Sequence, residues 1–270
     1  MRKDYETVSG ENAGQDERDF VEAFWTRRWQ TVERMPQAES VTRRDEYRLM
    51  WPYLRTLPRG SRILDGGCGM GEWVVYLAGQ GFDVVGLDLS ERTIDRLKAA
   101  LPTHQFACGD IRRTGFPDRS FDAYFSWGTF EHFENGLGEC IQEACRILKP
   151  GGWLFVSVPF HNWRLILRDA WRLSGSVEPS REDGATTHRF YQWRLTQPEL
   201  RRELTLRGFR VLTIKATAKD QGVHRWLQWD VPFLKEGTAA FALARRAFTM
   251  TMPSGFISHM IWAAARKQGA

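Results

Sequence analysis

An α/β fold is predicted: a mostly parallel, doubly wound, Rossmann-like sheet of seven strands with helices on both faces. Three observations predict it. Short apolar runs alternate with amphipathic stretches from residue 61 onward. The runs are apolar throughout, as strands covered on both faces require. The first two end on acids, Asp65 and Asp88, and the first opens into a glycine-rich turn ahead of a helix.

Residues 1–18 are polar, carry no apolar leader stretch, and are expected to be a frayed end. Val21, Trp25, Trp29 and Val32 then recur at helical spacing, as do Tyr47, Met50, Leu54 and Leu57, and Pro58-Arg59-Gly60 breaks the second helix. Residues 1–57 thus read as a tail and helical lid, and residues 58–270 as the main domain. The first strand, 61–64, ends at Asp65, and a helix at 72–78 is closed by Gly79 and Gly81. The second strand, 82–87, ends at Asp88; Ser90 caps a helix that runs to Ala100 and stops at Pro102. Strands follow at 104–108 and 121–126. Leu137, Ile141, Cys145 and Leu148 form the stripe of another helix, ended by Pro150-Gly151-Gly152, and 153–158 is a fifth strand. Thr196 with Glu199 forms a capping box for a helix closed by Gly208, ahead of strands at 209–216 and 257–265. Irregular insertions near 160–195 and 219–255, after the fifth and sixth strands, are expected to cover a substrate.

Composition narrows the classes. The formal charge of +5 arises from 38 basic against 33 acidic residues, without a Lys/Arg block, so no nucleic-acid partner is expected. Pairs such as Arg112-Arg113 read as solvated helix faces. The four cysteines contain no C-x-x-C pair and lack clustered histidines, so no metal site is expected. No apolar run reaches transmembrane length, which places the chain in the cytoplasm while leaving room for peripheral membrane contact. The twelve tryptophans fill cores or line a cleft.

The chemistry concentrates at 63–73, ILDGGCGMGEW. Glycines at alternate positions let the backbone turn sharply and approach a ligand, and the following helix start offers unpaired N–H groups. Asp88 follows about 20 residues on, where an acid accepts hydrogen bonds from ribose hydroxyls; it is also placed to cap the next helix. An anionic Asp65 at the turn would repel a pyrophosphate and suit a ligand with a cationic amino group.

These motifs resemble the class I S-adenosylmethionine-dependent methyltransferase family, in its small-molecule branch, over roughly residues 45–160 and more thinly to 215. The resemblance implies that Asp65, Gly66, Gly67, Cys68, Gly69 and Gly71 cradle the methionine part and adenosine of S-adenosyl-L-methionine. It implies that Asp88 holds the ribose hydroxyls while Leu89 packs on adenine, and that Gly109, Asp110 and Ile111 meet the adenine edge. In SFDAYFSWGTFEHF, at 120–133, Ser126 and Trp127 face the cofactor, and Trp127, Glu131 and His132 are the catalytic candidates, with Phe130 a second aromatic face for the cation. His188 and Tyr191, in HRFYQW, are candidates for the substrate side.

The implied reaction is in-line attack by an O, N or C nucleophile of a small molecule, with an apolar or lipid-like acceptor as first choice. Trp163, Trp171, Trp193, Trp226, Trp229 and Phe233 in the insertions suggest that acceptor. Positioning and exclusion of water supply the rate, and His132 would serve as base for a hydroxyl acceptor. A non-catalytic cofactor- or partner-binding module on the same scaffold is the alternative, since fold does not fix function. The sequence leaves the oligomeric state open.

Overall fold

The computed structural model describes residues 1–9, 16–32, 37–173 and 186–269. The strands of the main sheet are β2 (Arg62–Gly66), β3 (Asp83–Asp88), β4 (Gln105–Cys108), β5 (Phe121–Trp127), β6 (Leu148–Pro159), β8 (Phe209–Thr217) and β9 (Met260–Lys267). Their order is β4-β3-β2-β5-β6-β9-β8. The pairings from β4 through to β6 are parallel, and only β9 runs against its neighbours β6 and β8. The predicted α/β sheet of seven mostly parallel strands is therefore present.

Strand alternation sends side chains to two separate cores. Leu64, Val85, Tyr124 and Leu154 pack with Ile141 and Ala144 of α5 (Gly138–Ile147) and with Leu200 and Leu204 of α7 (Gln197–Leu206). On the other face, Ile63, Val84, Phe125 and Phe155 pack with Met50 of α2 (Asp45–Leu54), Val74 of α3 (Glu72–Gly79) and Ile94 of α4 (Glu91–Ala100). Burying each such side chain contributes about 2 kcal/mol. The capping signals hold: the Ser90 side chain accepts from the Thr93 N–H, and Thr196 with Glu199 forms the reciprocal box.

Four expectations are revised. Part of the supposed frayed end, Arg2–Ser9, is a strand, β1, paired antiparallel with β7 (Thr186–Arg194) in a separate ribbon. The insertion after β8 is helical rather than irregular: α8 (Lys219–Asp230), α9 (Ala239–Thr251) and the short α10 (Ser254–Ile257) enclose a satellite core of Val223, Leu227, Phe241 and Ile257. Pro150-Gly151-Gly152 lies inside β6, which begins directly after α5. The apolar-basic stretch after β6 forms α6 (Trp163–Leu173), and the polar stretch 174–185 lies outside the described residues. Ahead of the sheet, α1 (Glu17–Gln30) is the helix expected from the spacing of Val21, Trp25 and Trp29.

Candidate functional site

Parallel pairing brings the strand ends that carry Asp65, Asp88 and Trp127 to one edge of the sheet, beside the point where the strand order reverses. Crevices that bind ligands form at such points. A cavity of about 290 Å³ lies there.

Its floor is the turn after β2. Gly67 and Gly69 adopt φ of 81° and 51°, a region closed to most side chains, and a Cβ on Gly67 would lie 2.3 Å from Thr129 Oγ1. The N–H groups of Gly67 and Cys68 both donate to the Leu87 carbonyl, at 2.7 and 3.0 Å. Asp88 then ties the turn to the next helix: its Oδ2 accepts from Gly69 N at 2.9 Å and its Oδ1 from Ser90 N at 3.0 Å. Ser90 remains the helix cap; Asp88 fixes the backbone just ahead of it, and it also lines the cavity.

Asp65 is 2% exposed, and its Oδ2 has no hydrogen-bond partner among the described residues. Burial, with the charge of Asp88, pushes its carboxyl well above the usual range; nearby Arg44, itself paired with Glu72, pulls the other way. A buried carboxylate in this state is stabilised by any cation that reaches it.

The walls come from three directions. Leu89, Gly109, Asp110 and Ile111 close the side beyond β3 and β4. Trp127, Thr129 and His132 close the side after β5. From above, α1 contributes Val21, Trp25 and Trp29. The Trp25 and Trp29 rings stack at 5.6 Å, and Trp29 lies against Gly69, where a Cβ would meet it at 2.8 Å. The helix has no fully buried residue and is held by polar contacts. Thr26 Oγ1 and Ser90 Oγ are hydrogen-bonded at 2.6 Å, and Arg96 donates to the Val32 carbonyl at 2.8 Å.

Arg112 is not the solvated residue the sequence suggests. It grips Asp110 and Glu17 at 2.7 and 2.8 Å and lies 4.1 Å from the Phe133 ring centre. It thereby fastens α1 to the loop after β4, and the Asp110 carboxylate is already engaged before any ligand arrives.

His132 presents Nδ1 to the Tyr191 carbonyl at 2.8 Å, so the neutral ring carries its proton there. Its ring meets Trp25 at 5.3 Å and Tyr191 at 5.1 Å, both edge-on. Burial lowers its pKa to about 4, with the Tyr191 and Gly128 carbonyls acting in the opposite sense. Burial likewise lifts Glu131 to about 8, and its Oε2 has no partner among the described residues.

Of the residues singled out in the sequence, Asp65, Gly67, Cys68, Gly69, Asp88, Leu89, Gly109, Asp110, Ile111, Trp127 and His132 share this cavity. Gly66, Gly71, Ser126 and Glu131 lie behind its wall. Ser126 Oγ donates to the Gly66 carbonyl at 2.7 Å, and Gly71 sits against Phe106 as the N-cap of α3. Phe130 is fully buried against Tyr124 in the core. His188 is exposed on β7, while Tyr191 lines a side channel that shares Val21, Trp25 and His132 with the main cavity. The sequence reading assigned no site role to Trp25, Trp29, Trp73 or Arg44. The helical spacing of Trp25 and Trp29 was the available signal.

Residues 64–156 match the family described as a methyltransferase domain. A 2-methyl-6-phytyl-1,4-hydroquinone methyltransferase from Synechocystis is 37% identical over 111 residues, 40% of this chain and 35% of that protein. An S-adenosyl-L-methionine-dependent Diels-Alderase from Talaromyces variabilis is 32% identical over 125 residues, 43% of this chain and 41% of its own. The chain therefore spans well under two thirds of the curated relatives it matches. The crystal structure of a SAM-dependent methyltransferase from Methanosarcina mazei shares the fold, with a TM-score of 0.55 at 20% identity, covering 80% of this chain and 97% of that one. Among the described residues, no helix is long and apolar enough to cross a membrane.

Proposed function

We propose that the chain is a class I S-adenosylmethionine-dependent methyltransferase, in keeping with the methyltransferase-domain match over residues 64–156, and that it transfers a methyl group to an O, N or C nucleophile of a small apolar acceptor. The observation that carries this reading is the orphaned buried carboxylate of Asp65 at a glycine turn braced by Asp88. The donor set fits the cofactor. Asp65 would hold its amino group, Asp88 its ribose hydroxyls, and the Trp29, Leu89 and Ile111 side chains its apolar faces, all of them lining the one cavity.

S-Adenosyl-L-methionine supplies a methyl group already activated by the sulfonium. The chain's own residues position the partners and keep water out. Trp127 presents an aromatic wall at the end of β5, stacked on Phe125 at 5.2 Å and suited to a cation. The acceptor approaches beside Phe20, Phe24 and Tyr191, whose aromatic side chains line a small pocket of about 40 Å³ that reaches His132 and also carries Glu17, Glu134 and Arg189. That lining, and the quinol named for the Synechocystis relative, support an apolar acceptor. His132 is neutral at physiological pH, the form a base needs. Its depressed pKa makes it a weak proton holder, so it favours acceptors whose nucleophile loses a proton easily.

Calorimetric titration with S-adenosylhomocysteine, followed by labelled methyl transfer to a panel of quinols, phenols and amphipathic carboxylates, tests the reading. Micromolar binding and transfer to at least one apolar acceptor is the expected result. Binding without transfer to any acceptor would move the chain to the non-catalytic alternative. No binding would remove the reading altogether.

A further inference from the structure

A second cleft of about 520 Å³ lies between the β1–β7 ribbon, α6 and α8. Its walls carry Arg2, Arg164, Arg168, Arg194 and Arg225, against Asp4 and Glu6. Arg2 and Arg194 stand directly opposite each other across the ribbon. Like charges in that position destabilise a strand pair unless something neutralises them.

The local acids only partly do so. Asp4 accepts from Arg194 Nε at 2.5 Å, and Asp169 pairs with Arg2 at 3.1 Å. Arg164 is bonded to Asp230 through Nη1, but its buried Nε has no acceptor among the described residues. No carboxylate among the described residues pairs with Arg225, whose guanidinium lies 5.8 Å from the Trp229 ring centre. The surplus is felt by its neighbours. Arg164 and Arg194 are both depressed, first by burial and further by the other arginines. His259, at the back of the cleft, falls to about 3 through burial and the charges of Arg225 and Arg194.

We propose that this cleft is an oxyanion site that binds a phosphate group, with Arg164, Arg194 and Arg225 as its donors. Guanidinium groups from β7, α6 and α8 line one cleft, and planar N–H forks of that kind suit a multiply charged oxyanion. A monoanion would leave more of the mutual repulsion in place. The site adjoins the first cavity: Tyr191 lines this cleft and binds His132 through its carbonyl. As the anchor for a phosphorylated acceptor the site rests on the proposed methyl transfer. As a binding site it stands without it.

The test is made on the full chain without cofactor. Inorganic phosphate and glycerol phosphate are titrated calorimetrically, and vesicles of phosphatidic acid in phosphatidylcholine are tested by co-sedimentation. The nitrogen resonances of His259 report the site directly, because an anion that offsets Arg225 and Arg194 raises the pKa of that ring. Saturable phosphate binding with such a rise, weakened tenfold or more in Arg225→Gln, is the expected result. That substitution leaves no carboxylate without its partner, so the fold is retained. Binding to vesicles alone, lost in the same variant, supports the site with a lipid headgroup as the phosphate source. Absence of both, or equal affinity in Arg225→Gln, overturns it. Because S-adenosylhomocysteine is titrated separately, failure here leaves the methyltransferase reading intact, and the converse holds too.

Discussion

The two clefts on either side of the His132–Tyr191 contact are opposite in electrical character. The first is built on carboxylates, Asp65 and Asp88, buried beside a glycine turn. The second is built on guanidinium groups from four elements, β1, α6, β7 and α8. Among the described residues, a carboxylate oxygen in the first lacks a donor and an arginine Nε in the second lacks an acceptor. The two regions thus hold complementary deficits, one met by a cation and the other by an anion. The first is assembled by consecutive strands and turns. The second depends on segments as far apart as Arg2 and Arg225.

Separating the two clefts by mutation gives the largest expected effect. Asp88→Ala removes the acceptor for two backbone N–H groups and, with them, the proposed ribose contact. S-Adenosylhomocysteine affinity should fall about 100-fold, while phosphate affinity holds. A parallel loss at both clefts, by calorimetry, would show that they are not independent. Asp65→Asn comes next, at about 10- to 30-fold weaker binding. Because the Asp65 carboxyl is held above its ordinary range, protons compete with the ligand's cation there. Wild-type affinity should rise with pH across the acid range, and the Asn variant should show a flatter profile. A wild-type profile without slope would break the charge argument for the first cleft.

Between the clefts, Glu131 and His132 make opposite contributions to stability. The folded chain keeps Glu131 protonated up to about pH 8, whereas the unfolded chain releases that proton near 4.5, so stability falls with rising pH over that window. His132 and His259 stay neutral in the fold down to about 4 and 3, so stability falls as pH drops below about 6.5. Each group changes stability by about 1.4 kcal/mol per pH unit within its window. These three groups together give a maximum near pH 6.5, and thermal melts should show Glu131→Gln flattening the alkaline side and steepening the acid side between about 4.5 and 6.5. A flat alkaline limb in the wild type would place the Glu131 proton elsewhere. The smallest effect is expected for Trp29→Ala, which strips the lid from Gly69. Cofactor-product release measured by stopped flow should quicken about three- to tenfold, with little change in melting. An unchanged release rate would mean that α1 does not retain the ligand.

The contrast also explains what could be read in advance. Asp65, the glycine turn and Asp88 lie within one strand-turn-helix unit and its neighbour, so apolar runs and turn residues revealed them. Local chemistry likewise marked Ser90 and the Thr196–Glu199 box. The ribbon was missed because Arg2–Ser9 is polar and β1 is specified only by its partner, nearly two hundred residues away in the chain. The helices of the 219–255 segment were missed because their apolar residues pack on one another and not on the sheet. The aromatic residues of the insertions divided. Trp193 donates to the Phe133 carbonyl at 3.1 Å, Trp226 packs on Phe248, and of the six only Trp229 lines a described cleft. Arg112 looked like surface because its partner Glu17 is remote in sequence, and the same remoteness hid the arginine cluster.

The position of β9 has a consequence for biosynthesis. The last described strand in chain order is not an edge strand; it sits between β6 and β8. Until residues 260–267 leave the ribosome, β6 shows a row of unsatisfied N–H and C=O groups flanked by apolar side chains. Such an edge can pair with a neighbouring nascent chain. The polypeptide must therefore shield a half-finished sheet during synthesis, and premature termination before Met260 would yield aggregates in place of a shortened folded protein.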